Sequence, residues 1–231
     1  MSAPPLSVVI PARDEAQALP LLLEDLAPLR AMGAELILVD GGSHDGTPQL
    51  AEAGVDRVIH SEPGRARQMN AGARVASGRY LWFLHADTRV PATSWRRLLD
   101  VLAVQPAWGR FDVHLSGNGP SLRLIGSMIS LRSRLTGVAS GDQGIFISRD
   151  LFVELGGYAD MPLMEDLELC RRLKRLAPPR CLRPPLVTSS RRWEQRGIWR
   201  TVWLMWRLRL SYYFGASPER LAQRYYGGPR S

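Results

Sequence analysis

Leu6-Ser7-Val8-Val9-Ile10-Pro11-Ala12-Arg13-Asp14-Glu15 begins as an apolar run and ends in charge. The pattern returns twice. Glu35-Leu36-Ile37-Leu38-Val39 runs into Asp40-Gly41-Gly42-Ser43-His44-Asp45-Gly46, and residues 80–84 run into His85-Ala86-Asp87-Thr88. Helical stretches at residues 15–32, 47–53 and 66–76, and a third strand at 55–60, fill the intervals. Apolar strands without polar alternation, spaced by helices, predict a parallel sheet covered on both faces.

Ligands of such sheets bind outside the carboxyl ends of the strands. Here three strand ends bring carboxylates to one edge, where their repulsion favours a bound cation or hydrogen-bonding ligand. A divalent cation held by hard oxygens and substrate phosphates fits, so Mn²⁺ or Mg²⁺ is the expected cofactor. The plainer use of Asp14 and Asp45 is to cap the helices that follow. The glycines around Ser43 permit close backbone approach but do not spell a dinucleotide fingerprint.

Beyond residue 90 the sequence predicts a helix over 95–104, a strand over 111–115 and a loop at Gly117-Asn118-Gly119-Pro120. A helix over 121–135, a strand over 145–147, and helices near Leu151 and over 163–176 follow. Pro178-Pro179 and Pro184-Pro185 bracket an expected connector, and a single helix is expected over 198–214.

Composition narrows the classes. The chain has 231 residues and a net charge of +8, with Lys174 its one lysine, so lysine-dependent phosphate chemistry has a single candidate. Residues 171–231 carry 15 basic and two acidic side chains, against 15 and 20 in residues 1–170. Nucleic-acid binding would put the basic charge on the body, so nucleic acid is not an expected partner. His44, His60, His85 and His114 form no zinc pattern, and Cys170 and Cys181 read as reduced thiols. No signal segment or membrane-length apolar run is evident, so a cytoplasmic protein is expected, peripheral at most at the inner face of the membrane.

Four stretches, taken in order, carry a resemblance. They are residues 7–15, residues 39–47, Gly64-Arg65-Ala66-Arg67-Gln68-Met69-Asn70-Ala71-Gly72, and Leu84-His85-Ala86-Asp87-Thr88. With Gly141-Asp142-Gln143-Gly144 and Met164-Glu165-Asp166-Leu167-Glu168-Leu169, they resemble the successive motifs of family 2 glycosyltransferases. The wording around His85 and Gln143 is also similar to a short bacterial group assigned to arsenosugar biosynthesis.

The resemblance implies the GT-A fold, a Rossmann-like, mostly parallel mixed sheet with helices on both faces. It implies an inverting transfer of a sugar from a UDP- or GDP-sugar to an acceptor hydroxyl. Pro11, Arg13, Glu15, Asp40, Asp45, Arg65, Arg67, Asn70, His85 and Ala86 would then hold the nucleotide, with Asp40 accepting from a base N–H. Asp87 would ligate the metal, although the family's Asp-x-Asp here reads His85-Ala86-Asp87. Asp142 and Gln143 fall on the acceptor side. Asp166 would be the general base with Glu165 beside it, its helix start expected to keep it ionised. Arg191, Arg192 and Trp193 would meet the diphosphate, matching only the Arg-Trp half of the family element.

A sugar-nucleotide nucleotidyltransferase shares acidic strand ends and Mg²⁺, but it wants a basic glycine-rich loop with a lysine after the first strand, where this chain has Arg13-Asp14-Glu15. A non-enzymatic basic module binding membrane or RNA is the rival of another class. The acceptor stays open between a small metabolite, a glycan and a lipid-linked molecule. The chain divides into a transferase domain, residues 1–190, and a basic aromatic helical arm, 191–231. In the arm Trp199, Trp203, Trp206, Leu210 and Phe214 form one helical stripe. Packing on the core or in a homodimer is the expected use of that stripe, and contact with an anionic membrane the alternative.

Overall fold

The computed structural model describes residues 4–117 and 119–227, and the side chains of Arg192 and Arg196 lie outside the described set. The chain forms strands β1 (Leu6–Ala12), β2 (Glu35–Asp40), β3 (Arg57–His60), β4 (Tyr80–Phe83), β5 (Thr88–Arg89), β6 (Trp108–Leu115), β7 (Phe146–Ser148) and β8 (Arg180–Thr188). They join one sheet in the order β3-β2-β1-β4-β7-β6-β8-β5. All neighbours pair in parallel except at β7 and β5, so the sheet is mixed and mostly parallel, as the sequence predicts.

The unbroken apolar runs have a simple cause: both faces are covered. On one face Leu6, Val8 and Ile10 of β1 meet α1 (Leu19–Ala31), α2 (Thr47–Ala51) and α4 (Ala92–Leu102). On the other, Val9, Ile37 and Val39 meet α3 (Arg65–Val75), α6 (Arg149–Glu154) and α7 (Glu165–Leu176). The remaining helices are α5 (Pro120–Thr136), α8 (Arg191–Arg196), α9 (Ile198–Tyr213) and α10 (Pro218–Tyr226).

Several boundaries depart from expectation. The first helix starts at Leu19, not residue 15, because Asp14 takes φ 55° and the chain turns before Pro20 can open a helix. The expected connector around Pro184-Pro185 is the strand β8, which pairs in parallel with β6. Its ladder is irregular between Phe111 and Val113, and on the other side it meets only the two residues of β5. The prolines therefore fall where few ladder hydrogen bonds are required of them.

The helix expected over 198–214 is α9, Ile198–Tyr213, and the arm adds α8 before it and α10 after it. Its expected stripe faces outward, with Trp199, Trp203, Trp206, Leu210 and Phe214 each at least 58% exposed. A second stripe of the same helix, Leu204, Met205, Leu208 and Tyr212, packs instead with Leu163, Met164, Leu167 and Leu221. Both stripes are apolar at helical spacing, so pattern alone could not name the inner one. Trp193, Ile198 and Val202 pack with Leu115, Leu122 and Ile125, which ties the arm to α5.

Candidate active site

The carboxyl ends of β1 and β4, the start of α3, the turn at residues 140–142 and the start of α7 surround one cleft of about 2050 Å³, with α5, α9 and α10 as its far wall. Its near edge is built by backbone stitching. Asp14 N donates to Ser43 Oγ at 2.9 Å and His44 N to Asp14 Oδ1 at 2.8 Å. Glu15 N donates to Thr47 Oγ1, and Ala16 N to Asp45 Oδ2, both at 2.9 Å. Asp14 and Asp45 thus tie the two strand-end loops together.

Asp40 is spent in the same way. Its carboxylate accepts from Gly42 N, Ser43 N, Ser43 Oγ and His60 Nδ1. Burial alone would raise its pKa, but these bonds outweigh it and hold Asp40 below the ordinary value. Neither Asp40 nor Asp45 is among the residues lining the cleft. Asn70 and Gln143 also turn away. Asn70 exchanges hydrogen bonds with the Tyr158 backbone at 2.8 and 2.9 Å. Gln143, fully buried, accepts from Ser140 N and donates to Phe111 O. These side chains hold the walls in place.

The other expected residues converge. Pro11, Arg13, Glu15, Arg65, Arg67, His85, Ala86, Asp87, Asp142, Glu165, Asp166, Arg191 and Trp193 all line the cleft. Within it Arg67 is engaged by exposed Asp160 at 2.9 Å. Burial lowers the pKa of Arg65, but Tyr226, Glu165, Asp166 and Asp87 together raise it above the ordinary arginine value. Arg191 Nη2 lies 3.4 Å from Glu15 Oε2. Burial and the nearby Asp87 charge raise Glu15, with Arg191 opposing. Asp87 is raised chiefly by burial, against the pull of Arg65 and Arg191.

Asp166 sits at the cleft floor. Its Oδ2 accepts from Gly141 N and its Oδ1 from Leu167 N, both at 2.7 Å. A Cβ on Gly141 would come within 2.8 Å of His85 Nε2, so a glycine is what lets His85 and Asp166 close on the same turn. Burial raises Asp166 above the ordinary aspartate value, outweighing those two bonds and Arg209. Glu165 is pushed up to about 7 by burial and by Asp166, with Arg65 opposing.

No group of three metal-ligating side chains occurs among the described residues. The Asp87 charge raises half-buried Glu15, and one or two carboxylates suit a Mg²⁺-like ion shared with a diphosphate. The residues fit a cation that arrives with its substrate, not one caged by protein.

Residues 7–149 match the model of glycosyl transferase family 2. The chain belongs to that family. PGL/p-HBAD biosynthesis glycosyltransferases of Mycobacterium tuberculosis and Mycobacterium bovis are 31% identical to it over 177 residues, 68% of this chain. The chain spans 64% of the length of these curated relatives. S. aureus TarS 1-349, solved also with UDP-GlcNAc and with UDP, superposes with a TM-score of 0.65 at 16% identity, covering 80% of this chain and 60% of TarS 1-349. The mannosyltransferase PcManGT of Pyrobaculum calidifontis, in complex with GDP-Man and Mn²⁺, covers 97% of this chain and 69% of its own at 20% identity and a TM-score of 0.61. These likenesses show the GT-A fold. They support the family without supporting the narrower likeness to the arsenosugar group.

Sequence reasoning missed three contributors to the walls of the cleft. Gln68, buried, donates from Nε2 to Ala12 O and Val39 O at 2.8 Å and so pins α3 to the ends of β1 and β2. Its place inside the quoted glycine-rich stretch was the available signal. Arg132 and Arg209 reach the cleft from α5 and α9, and their helical neighbours gave no sign of it.

Proposed function

We propose that the chain is an inverting glycosyltransferase that moves a sugar from a UDP- or GDP-sugar to an acceptor hydroxyl. One observation carries this reading: Asp166 is half-buried, fixed by two backbone N–H groups, and lines the cleft together with Arg65. A base held in one orientation, with its pKa moved toward neutrality, is suited to take a proton from a hydroxyl. The acceptor oxygen then bonds to the sugar's anomeric carbon, the bond to the diphosphate breaks on the opposite face, and the nucleotide diphosphate leaves with the electron pair. Arg65 and Arg191 stand where that departing charge gathers.

Asp87, with Glu15 near it, would hold Mn²⁺ or Mg²⁺ together with the donor's diphosphate. Such a cation, when bound, offsets negative charge on the leaving group. The nucleotide complexes of TarS and PcManGT, the latter with Mn²⁺, support a nucleotide-sugar donor and a divalent metal. We read residues 1–190 as the transferase unit and 191–231 as an arm that supplies Arg191, Trp193, Arg209 and Tyr226 to its cleft. Asp14, Asp40, Asp45, Asn70 and Gln143 shape the donor pocket from behind.

Asp166→Asn keeps the shape and removes the base. Transfer should fall by about 10²–10⁴-fold with nucleotide affinity unchanged. A variant that keeps more than about a tenth of the turnover contradicts the assignment.

A further inference from the structure

Arg132 and Arg209 stand side by side at the α5–α9 wall of the cleft and face Asp142 and Asp166. Arg132 Nε and Nη2, Arg209 Nε and Asp142 Oδ1 are all buried without a hydrogen-bond partner. Buried polar atoms are normally satisfied, and two adjacent guanidinium groups with free N–H donors are a costly arrangement unless an anion completes it. Burial and the neighbouring Arg209 bring Arg132 down to about 10, against the opposing charges of Asp142 and Asp166.

Two apolar stripes rise from these arginines. Leu124, Met128, Leu131 and Leu135 recur at helical spacing on α5 and are 47–77% exposed. On α9 the outward stripe begins at Trp199 and continues through Trp203 and Trp206, with Arg207 stacked over Trp203 at 5.1 Å. The α5 stripe, Trp199 and Trp206 line the cleft. Patches of this kind mark lipid or ligand contact, and Trp and Arg together suit a membrane interface.

We propose that Arg132 and Arg209 bind a phosphate group of the acceptor, and that the acceptor is a hydroxyl-bearing phospholipid-like amphiphile whose chains lie along the stripes of α5 and α9. The proposal rests on the transferase reading, which puts the acceptor hydroxyl at Asp166. It assigns the donor's diphosphate to Arg65 and Arg191, and the acceptor's phosphate to the second arginine pair. The apolar rims then bring the cleft mouth to the bilayer surface from which such an acceptor is taken.

The test uses the full chain and three soluble probes below their micelle concentrations. These are dioctanoyl phosphatidylglycerol, with phosphate and hydroxyls, dioctanoylglycerol, with a hydroxyl alone, and inorganic phosphate. Phosphatidylglycerol should bind about tenfold or more tighter than either other probe. Arg132→Gln with Arg209→Gln should remove that preference while Mn²⁺-UDP or Mn²⁺-GDP binding stays within about twofold. Co-sedimentation with phosphatidylcholine vesicles should require added phosphatidylglycerol and fall in the double variant.

Equal binding of dioctanoylglycerol would overturn the phosphate subsite and leave only a greasy face. Inorganic phosphate binding as tightly as phosphatidylglycerol would assign the arginines to a soluble acceptor. Loss of nucleotide binding in the double variant would give them to the donor. Should the double variant unfold, Arg209→Gln alone and the wild-type probe comparison decide the matter. Failure of the transferase reading is seen separately, as wild-type protein that binds no nucleotide.

Discussion

Glu165 is the residue whose environment predicts a pH effect with a definite sign. Its ordinary value of 4.5 is raised to about 7 in the folded protein. Between those limits the folded state keeps a proton that the unfolded chain has lost, so stability falls as pH rises through that window. Glu165→Gln removes the buried charge. The variant should melt higher than wild type at pH 8, on the order of 5 °C, with the difference shrinking toward pH 5. Thermal melts at the two pH values check it, and a variant that is less stable at pH 8 would show that Glu165 is instead held ionised by Arg65. Asp40 stands at a strand end as its motif requires, and its carboxylate accepts from Gly42 and Ser43 of its own turn and from His60 at the end of β3. No sequence pattern distinguishes a carboxylate facing a ligand from one closing a loop.

At the scale of elements, α3 depends on a glycine. A Cβ on Gly72 would meet Val9 Cγ1 at 2.4 Å and Val39 Cγ2 at 2.9 Å, so this helix rests directly on the centre of β1 and β2. Gly72→Ala forces the helix outward at a cost of about 1–3 kcal/mol. Its melting temperature should drop by about 3–10 °C, and nucleotide affinity should weaken with it because Arg65 rides on α3. An unchanged melt would mean that the helix slides without cost. The strands and first helices were legible because burial on both faces leaves an unbroken apolar run. The strand β8 was not, since Pro184 and Pro185 signal a break unless the irregular ladder beside them is known. The two apolar stripes of α9 were equally illegible in their orientation, which depends on where Leu163, Met164 and Leu167 lie.

For the molecule as a whole, the basic C-terminal charge is not a detached tail. It folds over the cleft through α8 to α10, covers Leu163 and Leu167, and brings Arg191 and Arg209 toward the acidic strand ends. Removing residues 191–231 would uncover several large side chains, each worth roughly 1.5–3 kcal/mol of burial. The truncated chain should therefore melt well below the full chain, and a melt unchanged by the deletion would make the arm an accessory. The acidic edge and its basic cover together make one demand: a polyphosphate with a divalent cation should complete the charge between them. Titration calorimetry of the full chain with UDP and with GDP, each with Mn²⁺ and again in EDTA, tests this most directly. One nucleotide should bind, EDTA should weaken it about tenfold or more, and Asp87→Ala in Mn²⁺ should reproduce the EDTA result. No binding of either nucleotide to wild-type protein in Mn²⁺ would contradict it.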